Sequence, residues 1–277
     1  MPSVSVVHLV WKPLGVETLR RFLSSYQQNT GGLNHQLLVV FNGFDDGKGL
    51  DAYLELLEGV SYQPLILSRR SQDIPAYFAA ASAVSSDLVC FLNSYSVLLD
   101  KSWLMKLYAH IKRDDVGLVG ATGSYQSLYC SVKESMTEEP GSYSLKRLAS
   151  SPRRQWMLSR LKSYFDPFPN PHIRSNAFML GRDLMLSLEP SRIRTKMQAM
   201  RFESGKSNLT RQIQLRGLKA LVIGRDGKAY EQENWFDSET YKSGEQSNLL
   251  VADNRTEQYA MAVAEARRAM TKTTWGR

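Results

Sequence analysis

A polar tetrad, Asn93, Ser94, Tyr95 and Ser96, stands directly behind an apolar run at residues 87–92 whose only charged member is Asp87. A run this short and this rich in Val, Phe and Leu predicts a strand buried on both faces, as a parallel sheet between two helix layers requires. Ligands bind at the carboxyl ends of such strands, so residues 93–96 are placed to touch one. Glu203 could move a proton, and His172, Arg174, Lys206 and Arg211 could bring positive charge to an anionic leaving group. Each has a plainer use as a cap, a turn residue or a surface cation.

The elements that must position these groups follow from the apolar pattern. Residues 3–10 form a β-rich run, and Val16, Leu19, Phe22, Leu23 and Tyr26 then recur on one face of a helix. Residues 36–41 predict a second buried strand, ending in the loop chemistry of Asn42, Gly43, Asp45, Asp46 and Gly47. A short strand at 65–67 leads through Arg69, Arg70, Ser71, Gln72 and Asp73 into an Ala-rich helix that Pro75 can open. Behind the tetrad, Asp100 is placed to cap a helix carrying Trp103, Leu104, Leu107, Tyr108 and Ile111. Residues 116–120 read as a further strand, and the repeated strand and helix periods predict a right-handed βαβ sheet.

Residues 144–165 carry Lys146, Arg147, Arg153, Arg154, Arg160 and Lys162 and no acid. Ser151 can cap and Pro152 can open a helix there, with Trp156, Met157, Leu161, Tyr164 and Phe165 as its apolar side. Such a helix suits an anionic membrane surface or the rim of an acceptor cleft, and equally a solvated basic face packed on the sheet. Beyond it come a strand ending at Leu180, a short helix at 182–188, a strand ending before Gly224 and an Ala-rich helix at 256–270. Gly117, Gly120 and Gly123 lack the dinucleotide spacing, and the P-loop glycine that Gly205, Lys206 and Ser207 would need is Met200.

The tetrad and its frame resemble the centre of family 2-like glycosyltransferases of the GT-A fold, in which a strand ends in Phe-Leu-Asp-x-Asp before a Trp-Leu helix. Residues 201–224, with Glu203 in place of an acidic pair, resemble the second signature of that family. The likeness covers residues 3–224. It implies an α/β, Rossmann-like, mostly parallel sheet flanked by helices in a single domain: a catalytic unit at 1–230, divided into a nucleotide-binding half (1–130) and an acceptor-side half (131–230), with a helical extension at 231–277. It also implies transfer of a sugar from a nucleotide-sugar donor to a saccharide or lipid-linked saccharide, with inversion and with Glu203 as general base. The donor contacts then fall on Asn42, Asp45, Asp73, Asn93, Ser94, Tyr95, His172, Arg174, Lys206 and Arg211. Asn93 and Tyr95 stand where the family holds Mg2+ or Mn2+ on two aspartates, which leaves the metal open and makes a catalytically lapsed nucleotide-binding or scaffold protein the alternative.

Composition bounds the rest. With 43% hydrophobic and 22% charged residues in 277, the chain has the makings of a sizeable core. Its net charge of +8 favours an anionic partner, whether a phosphorylated substrate, a membrane surface or nucleic acid, and no nucleic-acid motif supports the last. Two cysteines, Cys90 and Cys130, suggest neither a disulfide framework nor a zinc site. With no basic, apolar leader and no apolar run of membrane-spanning length, the expected location is cytoplasmic, with peripheral membrane contact open.

Overall fold

The run at residues 87–92 is a strand over Leu88–Leu92, buried at every position. The computed structural model describes residues 1–44, 47–136, 152–189 and 193–277. Its strands are β1 (Val4–Trp11), β2 (Gln36–Asn42), β3 (Gln63–Ile66), β4 (Leu88–Leu92), β5 (Val97–Leu98), β6 (Val116–Gly120), β7 (Gly123–Ser124), β8 (His172–Ile173), β9 (Ala177–Gly181), β10 (Lys219–Ile223), β11 (Ala229–Tyr230) and β12 (Val251–Ala252). Its helices are α1 (Val16–Gln28), α2 (Asp51–Leu56), α3 (Asp73–Ala83), α4 (Trp103–Ile111), α5 (Leu128–Ser135), α6 (Pro152–Tyr164), α7 (Arg182–Leu186), α8 (Lys196–Ser204), α9 (Leu209–Gln214), α10 (Asn254–Met261) and α11 (Ala264–Trp275).

The main sheet has 8 strands in the order β11-β10-β6-β9-β4-β1-β2-β3. β1 pairs in parallel with β2 and with β4, and β2 with β3, so the β1, β2 and β4 ends lie side by side with Trp11 opposite Asn42. One cluster of buried residues on the sheet includes Phe22, Trp103 and Leu107 from α1 and α4, and a second includes Tyr77, Met185 and Phe202 from α3, α7 and α8. This is the mostly parallel sheet flanked by helices, in one α/β domain, that the sequence implied.

Four local expectations are corrected. β9 enters between β4 and β6 and runs antiparallel to both, which an unbroken βαβ series does not contain. Ser102, with no side-chain bond, occupies the cap position of α4; the Asp100 carboxylate instead accepts from the Ser102 N–H and pairs with Lys106 at 2.7 Å. The C-terminal helix is interrupted between α10 and α11, and α10 starts from a capping box made by Asp253 and Thr256. On α6 only Leu161 is buried, and Trp156, read as part of its apolar side, is 62% exposed. The other half of that basic stretch, with Ser151, Lys146 and Arg147, lies outside the described residues, as do Asp45 and Asp46. Among the described residues no helix is long and apolar enough to cross a membrane.

Candidate active site

Trp11 ends β1, and Ser94 and Tyr95 follow β4, so adjacent parallel strands deliver them to one edge of the sheet. There a cavity of about 300 Å³ is lined by Trp11, Leu14, Asp73, Ser94 and Tyr95. Asp73 arrives from the first turn of α3. Its approach is held by Asn42, whose amide nitrogen donates to the Ser71 carbonyl and whose oxygen accepts from the Ser71 N–H, each at 2.9 Å. Asn42 is 1% exposed, and both polar atoms of its side chain are engaged in anchoring the loop before α3. That loop also carries Arg70, whose guanidinium lies 5.1 Å from the centroid of the Trp11 ring, itself part of the cavity lining.

Asn93 forms a turn. Its side-chain oxygen accepts from the Tyr95 N–H at 3.0 Å and the Ser96 hydroxyl at 3.1 Å, while its N–H donates to the Asn176 carbonyl at 2.9 Å. The oxygens at 93–95 are neutral and the one on Asn93 is already engaged, whereas hard divalent cations favour carboxylates. Among the described residues no three His, Cys, Asp or Glu side chains gather as a metal site. The residues present do not fit the divalent ion that the resemblance implies.

Glu203 sits in the last turn of α8 and not ahead of a helix, at the end where the helix dipole disfavours negative charge. The Ser175 hydroxyl donates to its carboxylate, and the Tyr77 hydroxyl donates to the Ser175 carbonyl at 3.2 Å. Burial raises the Glu203 carboxyl above its ordinary range, the charge of Asp73 raises it further, and the Ser175 bond and Arg174 oppose the rise. Asp73 is raised by burial as well. Two carboxyls, Asp73 on α3 and Glu203 on α8, are thus both raised by burial, and the charge of Asp73 adds to the rise at Glu203. Glu203 is not among the residues lining the cavity; it is tied through Ser175 to Tyr77, which lies buried on α3 one turn beyond Asp73.

The cations named from sequence are placed differently. His172 is buried, shares a 2.8 Å hydrogen bond with the Asn170 carbonyl, and is lowered to about 4 by burial, so at neutral pH it carries no charge to offer a diphosphate. Arg174 donates to Thr122 at 3.2 Å and pairs with Asp253 at 2.7 Å, with its guanidinium 3.9 Å from the Tyr241 ring centroid. Its charge is therefore answered from the C-terminal segment. Lys206 and Arg211 lie 3.9 and 3.0 Å from Asp166, on a different cavity. The structure thus gathers Asp73, Ser94 and Tyr95, sets Glu203 within electrostatic reach of Asp73 on one side and Arg174 on the other, and leaves Lys206 and Arg211 apart. Sequence reasoning missed Arg70, Tyr77, Ser175 and Asp253 as members of this region. Only Asp253, three residues before Thr256, left a readable signal, that of a helix cap.

No family model matches the chain, and no curated protein matches it in sequence. Among solved structures it is similar to the mannosyltransferase PcManGT from Pyrobaculum calidifontis in complex with GDP-Man and Mn2+, at 13% identity and a TM-score of 0.51, over 86% of this chain. The chain spans 60% of the length of that mannosyltransferase. Weaker likenesses are to glucosyl-3-phosphoglycerate synthase from Mycobacterium tuberculosis (17% identity, TM-score 0.39, 68% of this chain and 59% of that one). A further one is 4-diphosphocytidyl-2C-methyl-D-erythritol synthase from Anaerococcus prevotii (11% identity, TM-score 0.42, 73% of this chain and 83% of that one). At such identities the likeness is one of fold.

Proposed function

We propose that the protein transfers a sugar from a nucleotide-sugar donor to a saccharide or lipid-linked saccharide acceptor, with inversion. The carrying observation is the cavity at the strand ends, with Asp73, Ser94 and Tyr95 on its wall, and behind it a buried carboxyl of raised basicity, Glu203, that the charge of Asp73 reaches. The fold shared with a mannosyltransferase seen with GDP-Man supports the same reading.

In this mechanism residues 1–130 hold the nucleotide and residues 131–230 meet the acceptor. Glu203 takes the proton from the acceptor hydroxyl as its oxygen bonds to the anomeric carbon, and the bond from that carbon to the diphosphate breaks with its electron pair leaving on the phosphate oxygen. The leaving charge needs a cation. Arg70, laid against the Trp11 ring that lines the cavity, supplies it in place of the histidine and surface cations that the sequence suggested. Asp73 and Ser94 bind the ribose or sugar hydroxyls.

Glu203→Gln tests this. It keeps the shape and removes the proton acceptor, so transfer from GDP- and UDP-sugars drops by roughly two to four orders of magnitude while nucleotide affinity by calorimetry is unchanged. Turnover at the parental rate would falsify the role of Glu203. A second reading, a nucleotide-binding protein without turnover, is favoured by the neutral side chains at 93 and 95; binding of a nucleotide sugar with neither transfer nor hydrolysis would select it.

A further inference from the structure

A second cavity, larger at about 410 Å³, opens beside the loop at residues 166–171. Pro167, Phe168 and Pro169 are all exposed, with Phe168 at 38%. An exposed aromatic between two prolines is costly to leave in water, yet this one is held in place. The Phe168 N–H donates to Cys130 Sγ at 3.3 Å, and the ring packs on Gly276 so closely that a Cβ there would stand 2.8 Å from it. Because proline fixes φ, the loop has little backbone freedom to lose when something settles on the ring.

The rest of the lining is polar, and its charges are paired. Asp166 is answered by Arg211 at 3.0 Å and more weakly by Lys206 at 3.9 Å. Gln214 donates its side-chain amide to the Gln232 side-chain oxygen at 2.9 Å, which leaves the Gln214 oxygen and the Gln232 N–H2 of the pair with bonding capacity. At the floor, Asn170 donates to the carbonyl of Ser204, the residue after Glu203, at 2.7 Å.

A rigid aromatic face, paired amides and a guanidinium–carboxylate couple, with little net charge, match a ring that is apolar on its C–H face and carries hydroxyls around its edge. We infer that this cavity is a subsite for a neutral sugar ring, stacked on Phe168 with its hydroxyls on Gln214, Gln232 and the Asp166–Arg211 pair. Resting on the proposed glycosyl transfer, it is the acceptor's side of the molecule, and it selects an uncharged glycan over a phosphorylated one. A phosphate would find Arg211 and Lys206 already shared with Asp166.

The test is equilibrium binding to the full, isotope-labelled chain. The methyl glycosides of glucose, mannose, galactose and N-acetylglucosamine are titrated to millimolar levels, with inorganic phosphate as the anionic probe, and the side-chain amide signals of Gln214 and Gln232 are followed by NMR. The expected result is a saturable shift with at least one glycoside, weakened about tenfold by Phe168→Ala, as loss of an aromatic contact implies. Gln214→Ala, at an exposed position, weakens it as well and keeps the test intact if the Phe168 variant folds poorly. Shifts with phosphate alone, shifts indifferent to both substitutions, or no shifts at all overturn the assignment. Glycoside binding without any glycosyl transfer leaves the subsite standing and removes the proposed reaction; transfer without glycoside binding does the reverse.

Discussion

His8 lies in the middle of β1 with no exposed surface, and neither ring nitrogen has a hydrogen-bond partner. Its ring stacks on Phe22 of α1 at 3.6 Å between centroids and 4° between planes. Burial lowers it from 6.5 to about 3. Above pH 6.5 both folded and unfolded chains carry it neutral, and it contributes no pH dependence. Below that, the unfolded chain binds a proton that the folded chain refuses until about pH 3, so stability falls with pH by about 1.4 kcal/mol per unit. Between pH 6.5 and 4.5 the loss from this one side chain is about 2.7 kcal/mol, a large part of the roughly 5–15 kcal/mol that a domain has. His8→Phe keeps the stack and removes both unpaired nitrogens. At pH 7.5 it relieves about 1–3 kcal/mol of unsatisfied polar burial, less whatever the slightly larger ring costs in packing. Its advantage over the parent then grows by about 2.7 kcal/mol at pH 4.5. Urea unfolding followed by circular dichroism at pH 7.5, 5.5 and 4.5 measures both free energies. His172 and the acids titrate alike in the two proteins and cancel. An advantage that stays constant over this range refutes the reasoning.

Other outcomes follow from the same geometry. Arg70→Ala weakens binding of nucleoside diphosphates by calorimetry about tenfold or more, as loss of a charge-assisted contact implies, and leaves unfolding by urea within about 0.5 kcal/mol; unchanged affinity would remove Arg70 from the site. Asp253→Ala strands Arg174, whose side chain is 14% exposed, and deletes the cap of α10, so urea unfolding loses about 3–5 kcal/mol; a loss under about 1 kcal/mol would show the pair to be dispensable. Arg153, Arg154, Arg160 and Lys162 on α6, beside the exposed Trp156, contribute about 4 kcal/mol toward an anionic bilayer, so sedimentation with anionic but not neutral vesicles is expected, lost at high salt; equal binding to both counts against membrane contact.

Much of the frame was legible because burial on both faces writes itself into composition. The run at 87–92, the strands at 36–41 and 116–120 and the apolar face of residues 16–26 are local patterns, and β4, β2, β6 and α1 stand where those patterns lie. The edge that would bind a ligand was legible for the same reason, since parallel strands put their polar tips on one side. Strand direction was not, because alternation and apolarity read the same forwards and backwards, and β9 turned out antiparallel. The partners of the chemical groups were out of reach as well. Glu203 owes its raised basicity to burial, to Asp73 and to the helix end it occupies, all set by packing among α3, α8 and the β8–β9 turn. His172 and Arg174 look like cations in a list of residues. Burial makes the first neutral and Asp253, far along the chain, answers the second, because charge in a protein belongs to an environment that only the tertiary structure assembles.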